Sequence, residues 1–83
     1  MKLTVRYFAS IREALGAAET IDAAEGITVG AIRDTLIARG GAHATALARG
    51  KALRTALNQV LCDEAAVVGE GAELAFFPPV TGG

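Results

Sequence analysis

Along residues 2–8 polar and apolar side chains alternate, with Leu3, Val5 and Tyr7 on one face and Lys2, Thr4, Arg6 and Phe8 on the other. A period of two predicts a half-buried strand, because successive side chains of an extended chain point to opposite faces. Phe8 breaks the polar side. Either the strand ends there and the ring turns into the core, or the ring stays outward as a contact residue. Ser10 stands three residues before Glu13, the capping-box spacing in which each side chain satisfies backbone N–H groups at a helix start. A short helix over 11–15 follows, and Gly16 offers a left-handed stop.

Residues 19–23 fit a second strand with Ile21 inward, although the segment is rich in alanine. Thr28 is the expected N-cap of a longer helix on which Val29, Ile32 and Leu36 share a face, with Ile37 beside them and Gly40-Gly41 as terminator. Residues 42–50 fit another helical turn or a loop equally well. Next, Leu53, Thr55 and Leu57 alternate with Arg54 and Ala56, Asn58-Gln59 interrupts, and Val60, Leu61 and Cys62 resume an extended run. Gly69 and Gly71 mark a turn into a last strand over 73–77, where Leu74 and Phe76 point one way and Glu73, Ala75 and Phe77 the other. The order predicts an α+β fold: a mixed sheet of four to five strands, its first and last strands paired in the middle, packed against one main helix.

At 83 residues and 52% hydrophobic content the chain suffices for one core, expected over 1–77, with 78–83 left as a flexible, extended C-terminal tail. The net charge of -1 and the scattered Lys and Arg argue against a nucleic-acid surface or a basic membrane patch. A lone cysteine, no apolar signal core and no run approaching roughly 18 apolar residues point to the cytoplasm.

Familiar reactive constellations are missing. Around Gly50-Lys51 a phosphate loop would need glycine where Thr45 stands and Ser or Thr where Ala52 stands. Gly69 and Gly71 lack the third glycine of a dinucleotide fingerprint, because position 74 is leucine. Asp63 and Glu64, neighbours in an extended segment, point to opposite faces and read as a solvated turn. His43, the only histidine, reads as a solvated loop residue, and Cys62, with no basic neighbour in sequence, as a small core thiol; no metal site is expected.

The tail is different. Residues 74–83 carry no charged side chain. Pro78 and Pro79 lack backbone donors and hold an arm near polyproline II, so it is ordered at little entropic cost and strands few donors in a dry channel. Val80 and Thr81 would thread behind them, Gly82 would pass a constriction that a β-carbon blocks, and Gly83 would present its carboxylate. With a pKa of roughly 3.5 that carboxylate is ionised and a poor electrophile. Another enzyme must activate it, most simply by transferring AMP from ATP.

The stretch Ala75-Phe76-Phe77-Pro78-Pro79-Val80-Thr81-Gly82-Gly83, Asn58-Gln59 with Leu61, Phe8-Ala9 followed by Ile11-Arg12-Glu13, and Gly50-Lys51 together resemble the small subunit of molybdopterin synthase, a family of ubiquitin-like sulfur carriers with the β-grasp fold. The resemblance spans nearly the whole chain. It implies that Gly83 is adenylated and converted to a thiocarboxylate, and that the sulfur passes to cyclic pyranopterin monophosphate in molybdenum cofactor biosynthesis. The chain would then be a sulfur-donating, non-catalytic subunit that binds no cofactor, while its activating enzyme uses ATP. Implied partners are a large synthase subunit in a heterotetramer, a ubiquitin-activating-like adenylyltransferase, and a sulfur donor such as a cysteine desulfurase or rhodanese. Phe8, Leu61 and Phe77 match apolar positions of the family and would form the docking patch. Gly40, Gly41, His43 and Cys62 depart from the pattern. Alternatives are sulfur carriage to thiamine or an amino acid, a protein modifier joined to lysines, or an interaction module with an inert tail.

Overall fold

A computed structural model describes residues 1–79. Its strands are β1 (Lys2–Tyr7), β2 (Ala18–Asp22), β3 (Arg54–Leu57), β4 (Val60–Cys62) and β5 (Glu73–Phe77), and its helices α1 (Ala9–Leu15), α2 (Val29–Ile37) and α3 (Gly41–Ala46). The five strands form one sheet in the order β2-β1-β5-β3-β4. The first and last strands pair in parallel, with Val5 opposite Leu74 and Tyr7 opposite Phe76, and the remaining pairs are antiparallel. This is the expected β-grasp arrangement. Strand β5, which has no exposed residue, takes the centre, where both of its edges are hydrogen-bonded.

One sheet face and α2 make the core. Leu3, Val5, Tyr7, Leu74 and Phe76 meet Val29, Ile32 and Leu36, with Ile11, Leu47 and Val68 closing the ends. Thr28 caps α2 as its sequence position predicts, its hydroxyl accepting from the Ala31 N–H at 3.2 Å. Near the start of α2, Gly30 lets the segment after β4 lie against the helix: its N–H donates to the Glu64 carbonyl at 2.9 Å, and a β-carbon would stand 3.0 Å from the Glu64 carboxylate.

The capping box expected at Ser10 does not form. Phe8 is the N-cap, in extended conformation, so Ser10 falls inside α1 and its hydroxyl caps nothing. The reason is the sheet. The Phe8 N–H donates to the Phe76 carbonyl at 3.1 Å, which prolongs the β1–β5 ladder by one residue and forces the turn into the helix onto Ala9, at φ 52°. Gly16, at φ 93°, ends α1 as expected.

Strands β3 and β4 are joined by Asn58-Gln59, both left-handed at φ 50° and 68°, in a two-residue hairpin turn whose sense matches strand twist. Asn58 is held by β5, since its N–H and Oδ1 both pair with the Glu73 backbone. Gln59 carries the left-handed penalty without such compensation. Gln59→Gly is expected to stabilise the fold by about 0.5–1 kcal/mol, the relief of strain exceeding the added unfolded-state entropy, and to raise the thermal midpoint by a few degrees in calorimetry.

Candidate functional site

The outer face of the sheet is set by the phase of its strands. Side chains of β1 that do not enter the core, Thr4 and Arg6, lie outward, and because Phe8 continues the extended backbone its ring stays in that phase, 37% exposed. This settles the two readings of Phe8 in favour of the outward one. On β5 the outward residues are Glu73, Ala75 and Phe77, as expected from the alternation. Register places Ala56 of β3 opposite Ala75, and Leu61 of β4 opposite Ala56. Thus Phe8, Phe77 and Leu61 share one face.

Between them is a shallow hollow of about 380 Å³. Its floor is Ala56 and Ala75, and its walls are Phe8, Phe77, Gln59 and Glu73. Two alanines between two phenylalanines create the depression, since larger outward residues at the middle of the sheet would fill it. The Arg6 guanidinium lies 5.5 Å from the Phe8 ring centre and pairs with Glu73 at 3.6 Å, so one rim is polar. Leu61, 68% exposed, extends the apolar surface toward the sheet edge. Phe77 and Ala75 were legible as outward residues from the alternation; Phe8 had two readings open, Leu61 entered only through the family resemblance, and Ala56 and Gln59 were not singled out as part of the site.

Phe77 is also the last residue of the central strand. Pro78 and Pro79, both half-buried, follow it and end the ladder because neither has an N–H to donate. Val80, Thr81, Gly82 and Gly83 lie outside the described residues.

The remaining singled-out residues serve the scaffold. His43 is not a solvated loop residue: it belongs to α3, its side chain is 18% exposed, and its Nε2 lies 3.0 Å from Glu19 Oε2. The Tyr7 hydroxyl donates to the same oxygen at 2.8 Å, and Arg39 reaches the other at 2.5 Å. Burial pushes the Tyr7 phenol up, and its bond to Glu19 adds to this. Burial alone would also raise the Glu19 carboxyl, but the bonds from Arg39, His43 and Tyr7 outweigh it and hold the pKa at about 2. Glu64, read as part of a solvated turn, is instead paired with Arg33 at 2.8 Å and with Arg49. Cys62 is half-buried against the core, 3.6 Å from the Thr55 hydroxyl. Among the described residues no group of three or more His, Cys, Asp or Glu side chains could hold a metal ion, and no helix is long and apolar enough to cross a membrane.

The Glu19 cluster has a measurable consequence. A folded pKa below the usual 4.5 contributes stability that is fully present above pH 4.5 and is lost as pH falls toward about 2. Glu19→Gln is therefore expected to cost about 1–2 kcal/mol near neutrality, after allowance for solvent screening, and to lose less stability than the parent between pH 4.5 and 2 in urea titrations.

Comparison with known proteins agrees with this geometry. The molybdopterin synthase sulfur carrier subunit of Escherichia coli K12 is 43% identical over 81 residues, covering 98% of this chain and 99% of its own. Among solved structures, the complex of subunits 1 and 2 of molybdopterin-converting factor from Helicobacter pylori contains a chain matching at TM-score 0.70 and 26% identity, with both chains fully covered. Small archaeal modifier protein 1 of H. volcanii matches at TM-score 0.76 and 26% identity over 95% of this chain and 98% of its own. The model of the ThiS family matches residues 5–83, all of the sheet beyond the start of β1 and the whole tail, and the chain belongs to that family.

Proposed function

We propose that this protein is the sulfur carrier subunit of a molybdopterin synthase, and that its reactive group is the α-carboxylate of Gly83. The observation that carries the reading is the continuity of β5: its last residue, Phe77, walls the outer-face hollow, and the chain runs from it directly into Pro78-Pro79-Val80-Thr81-Gly82-Gly83. Docking surface and delivered end then belong to one strand, so a large subunit that seats the hollow also fixes where the tail begins. The Escherichia coli relative, a sulfur carrier subunit, supports the cargo, and the Helicobacter pylori complex of two subunits supports a large-subunit partner.

In this reading a separate adenylyltransferase activates the tail. A Gly83 carboxylate oxygen attacks the α-phosphorus of ATP, and pyrophosphate leaves. The terminal sulfur of a persulfide donor then attacks the acyl carbon and AMP leaves; a second thiol attacks the donor-side sulfur of the resulting acyl disulfide, forming a disulfide with the donor and releasing the thiocarboxylate. In the large subunit that sulfur bonds to a carbon of cyclic pyranopterin monophosphate as a C–O bond at that carbon breaks, the displaced oxygen leaving protonated. Water cleaves the resulting acyl–sulfur bond, which leaves sulfur on the pterin and restores the carboxylate. Phe8, Leu61 and Phe77 dock, Pro78 and Pro79 stiffen the arm, Val80 and Thr81 thread, and Gly82 gives clearance.

Intact-mass measurement after coexpression with an activating enzyme and a sulfur donor tests the reading. One oxygen is expected to be replaced by sulfur at Gly83, and a mass that never changes overturns it. The likeness to a small archaeal modifier protein motivates a second reading, in which the same activated carboxylate forms amides with lysines. Lysine adducts carrying the Gly82-Gly83 remnant in cell digests would favour it.

A further inference from the structure

A second and larger hollow, of about 520 Å³, lies where the chain leaves the sheet. It is separate from the outer-face hollow and shares no lining residue with it. Ile11 and Ala14 of α1, Ala46 of α3, and Leu53 ahead of β3 give it apolar walls, Lys51 supplies a cation, and Pro78 forms part of its rim. The size falls within the roughly 300–1,000 Å³ typical of ligand pockets.

Lys51 is well placed to hold an anion. It is exposed, and among the described residues its ammonium has no carboxylate partner. Its backbone is fixed from both sides, the N–H donating to the Ala48 carbonyl at 2.9 Å and the carbonyl accepting from Arg33 at 3.1 Å. A small apolar groove with a single positive charge calls for an uncharged segment with a single negative charge. The chain itself supplies one.

We propose that this groove is a resting berth for the protein's own C-terminal segment, residues 80–83, with the Gly83 carboxylate paired to the Lys51 ammonium. Pro78 forms part of the groove's rim, so the segment that follows is tethered at its edge. Four residues reach at most about 14 Å, which keeps the carboxylate beside the groove. Val80 and Thr81 match the apolar walls, Gly82 and Gly83 need little room, and the terminal carboxylate is ionised above about pH 3.5. A berthed tail leaves Phe8, Phe77 and Leu61 open, so a partner can dock on the sheet first and draw the tail out afterwards. The pairing is weak by design of its exposure, which suits an end that must be surrendered to two enzymes.

Methyl and amide NMR of the full-length protein tests this. In the parent, nuclear Overhauser contacts are expected between the Val80 methyls and those of Ala46 and Leu53, with Gly82 and Gly83 amides displaced from random-coil shifts. Lys51→Ala should reduce the contacts about two- to fivefold, the range of one exposed ion pair. Lys51→Arg should retain them, and unchanged Val5 and Leu74 amides certify the fold. Random-coil glycine shifts in the parent, or contacts indifferent to Lys51→Ala, overturn the proposal. So do concentration-dependent shifts in the groove beside an unrestrained tail, which would assign it to a second copy. No sulfur chemistry enters the measurement, so its failure and the failure of the carrier reading are distinguishable.

Discussion

A chain shortened to end at Thr81 is expected to unfold within about 0.5 kcal/mol of the full protein and to yield no molybdopterin at all. The two halves of that result have different causes. Among the described residues every buried core side chain lies between Leu3 and Phe76, and a glycine has no side chain to add to it. Activity is lost because Thr81 would then carry the terminal carboxylate, short by two residues and flanked by a branched side chain. Two residues of extended backbone are about 7 Å, far more than the roughly 1 Å misplacement that already costs about a hundredfold in a reacting group. Reconstitution with the large subunit and a chemically installed thiocarboxylate measures the transfer, and equilibrium urea unfolding measures the fold. Retained transfer would show that the terminal glycines are dispensable and leave the domain a docking module.

That separation between a rigid holder and an end the fold does not need follows from the order of the strands. The tail leaves from β5, which is central and hydrogen-bonded on both edges. A force drawing the tail into a partner is therefore resisted by ladders on both sides rather than by one frayed edge strand. The outer-face hollow sits on the same strand, so a partner seated there, as proposed, would touch Ala75 and Phe77 immediately before the Pro78-Pro79 arm. An end delivered this way is positioned by the sheet and needs no catalytic group of its own.

Side-chain phase was legible without coordinates, and long-range partners were not. The alternation of residues 2–8 and 73–77 gave the correct faces for both strands because burial on one side is a local pattern. Thr28 gave the start of α2 for the same reason, since its partner is the Ala31 N–H only three residues away. Ser10 misled because a competing bond, from the Phe8 N–H to the Phe76 carbonyl, lies 68 residues distant and wins. His43 and Glu64 misled in the same manner. Their partners Glu19 and Arg33 stand 24 and 31 residues away, and nothing in the local sequence announces them. Outward alanines 56 and 75 are silent until register sets them side by side.

Arg33→Met is expected to destabilise the fold by about 3–5 kcal/mol, the cost of breaking a buried charge network by removing one partner. Arg33 is 3% exposed on α2, in a position that the helical pattern alone would leave polar and solvated. Its Nε donates to the Leu47 carbonyl at 2.8 Å, one terminal nitrogen reaches the Ala48 and Lys51 carbonyls at 2.6 and 3.1 Å, and the other pairs with Glu64 at 2.8 Å. Methionine fills much of the same volume but donates nothing, so three carbonyls of the loop between α3 and β3 and a carboxylate lose their partner together. Lysine would fare little better, because a point charge cannot match a planar fork aimed at separate acceptors. In a domain of this size the loss corresponds to a fall of roughly 12–40 °C in thermal midpoint, read by calorimetry. Glu64→Gln should cost less, since its side chain is 33% exposed and water can replace part of what Arg33 and Arg49 lose. A change below about 1 kcal/mol for Arg33→Met would mean that the loop carbonyls rehydrate freely, and that the loop carrying Lys51 is not held by the helix.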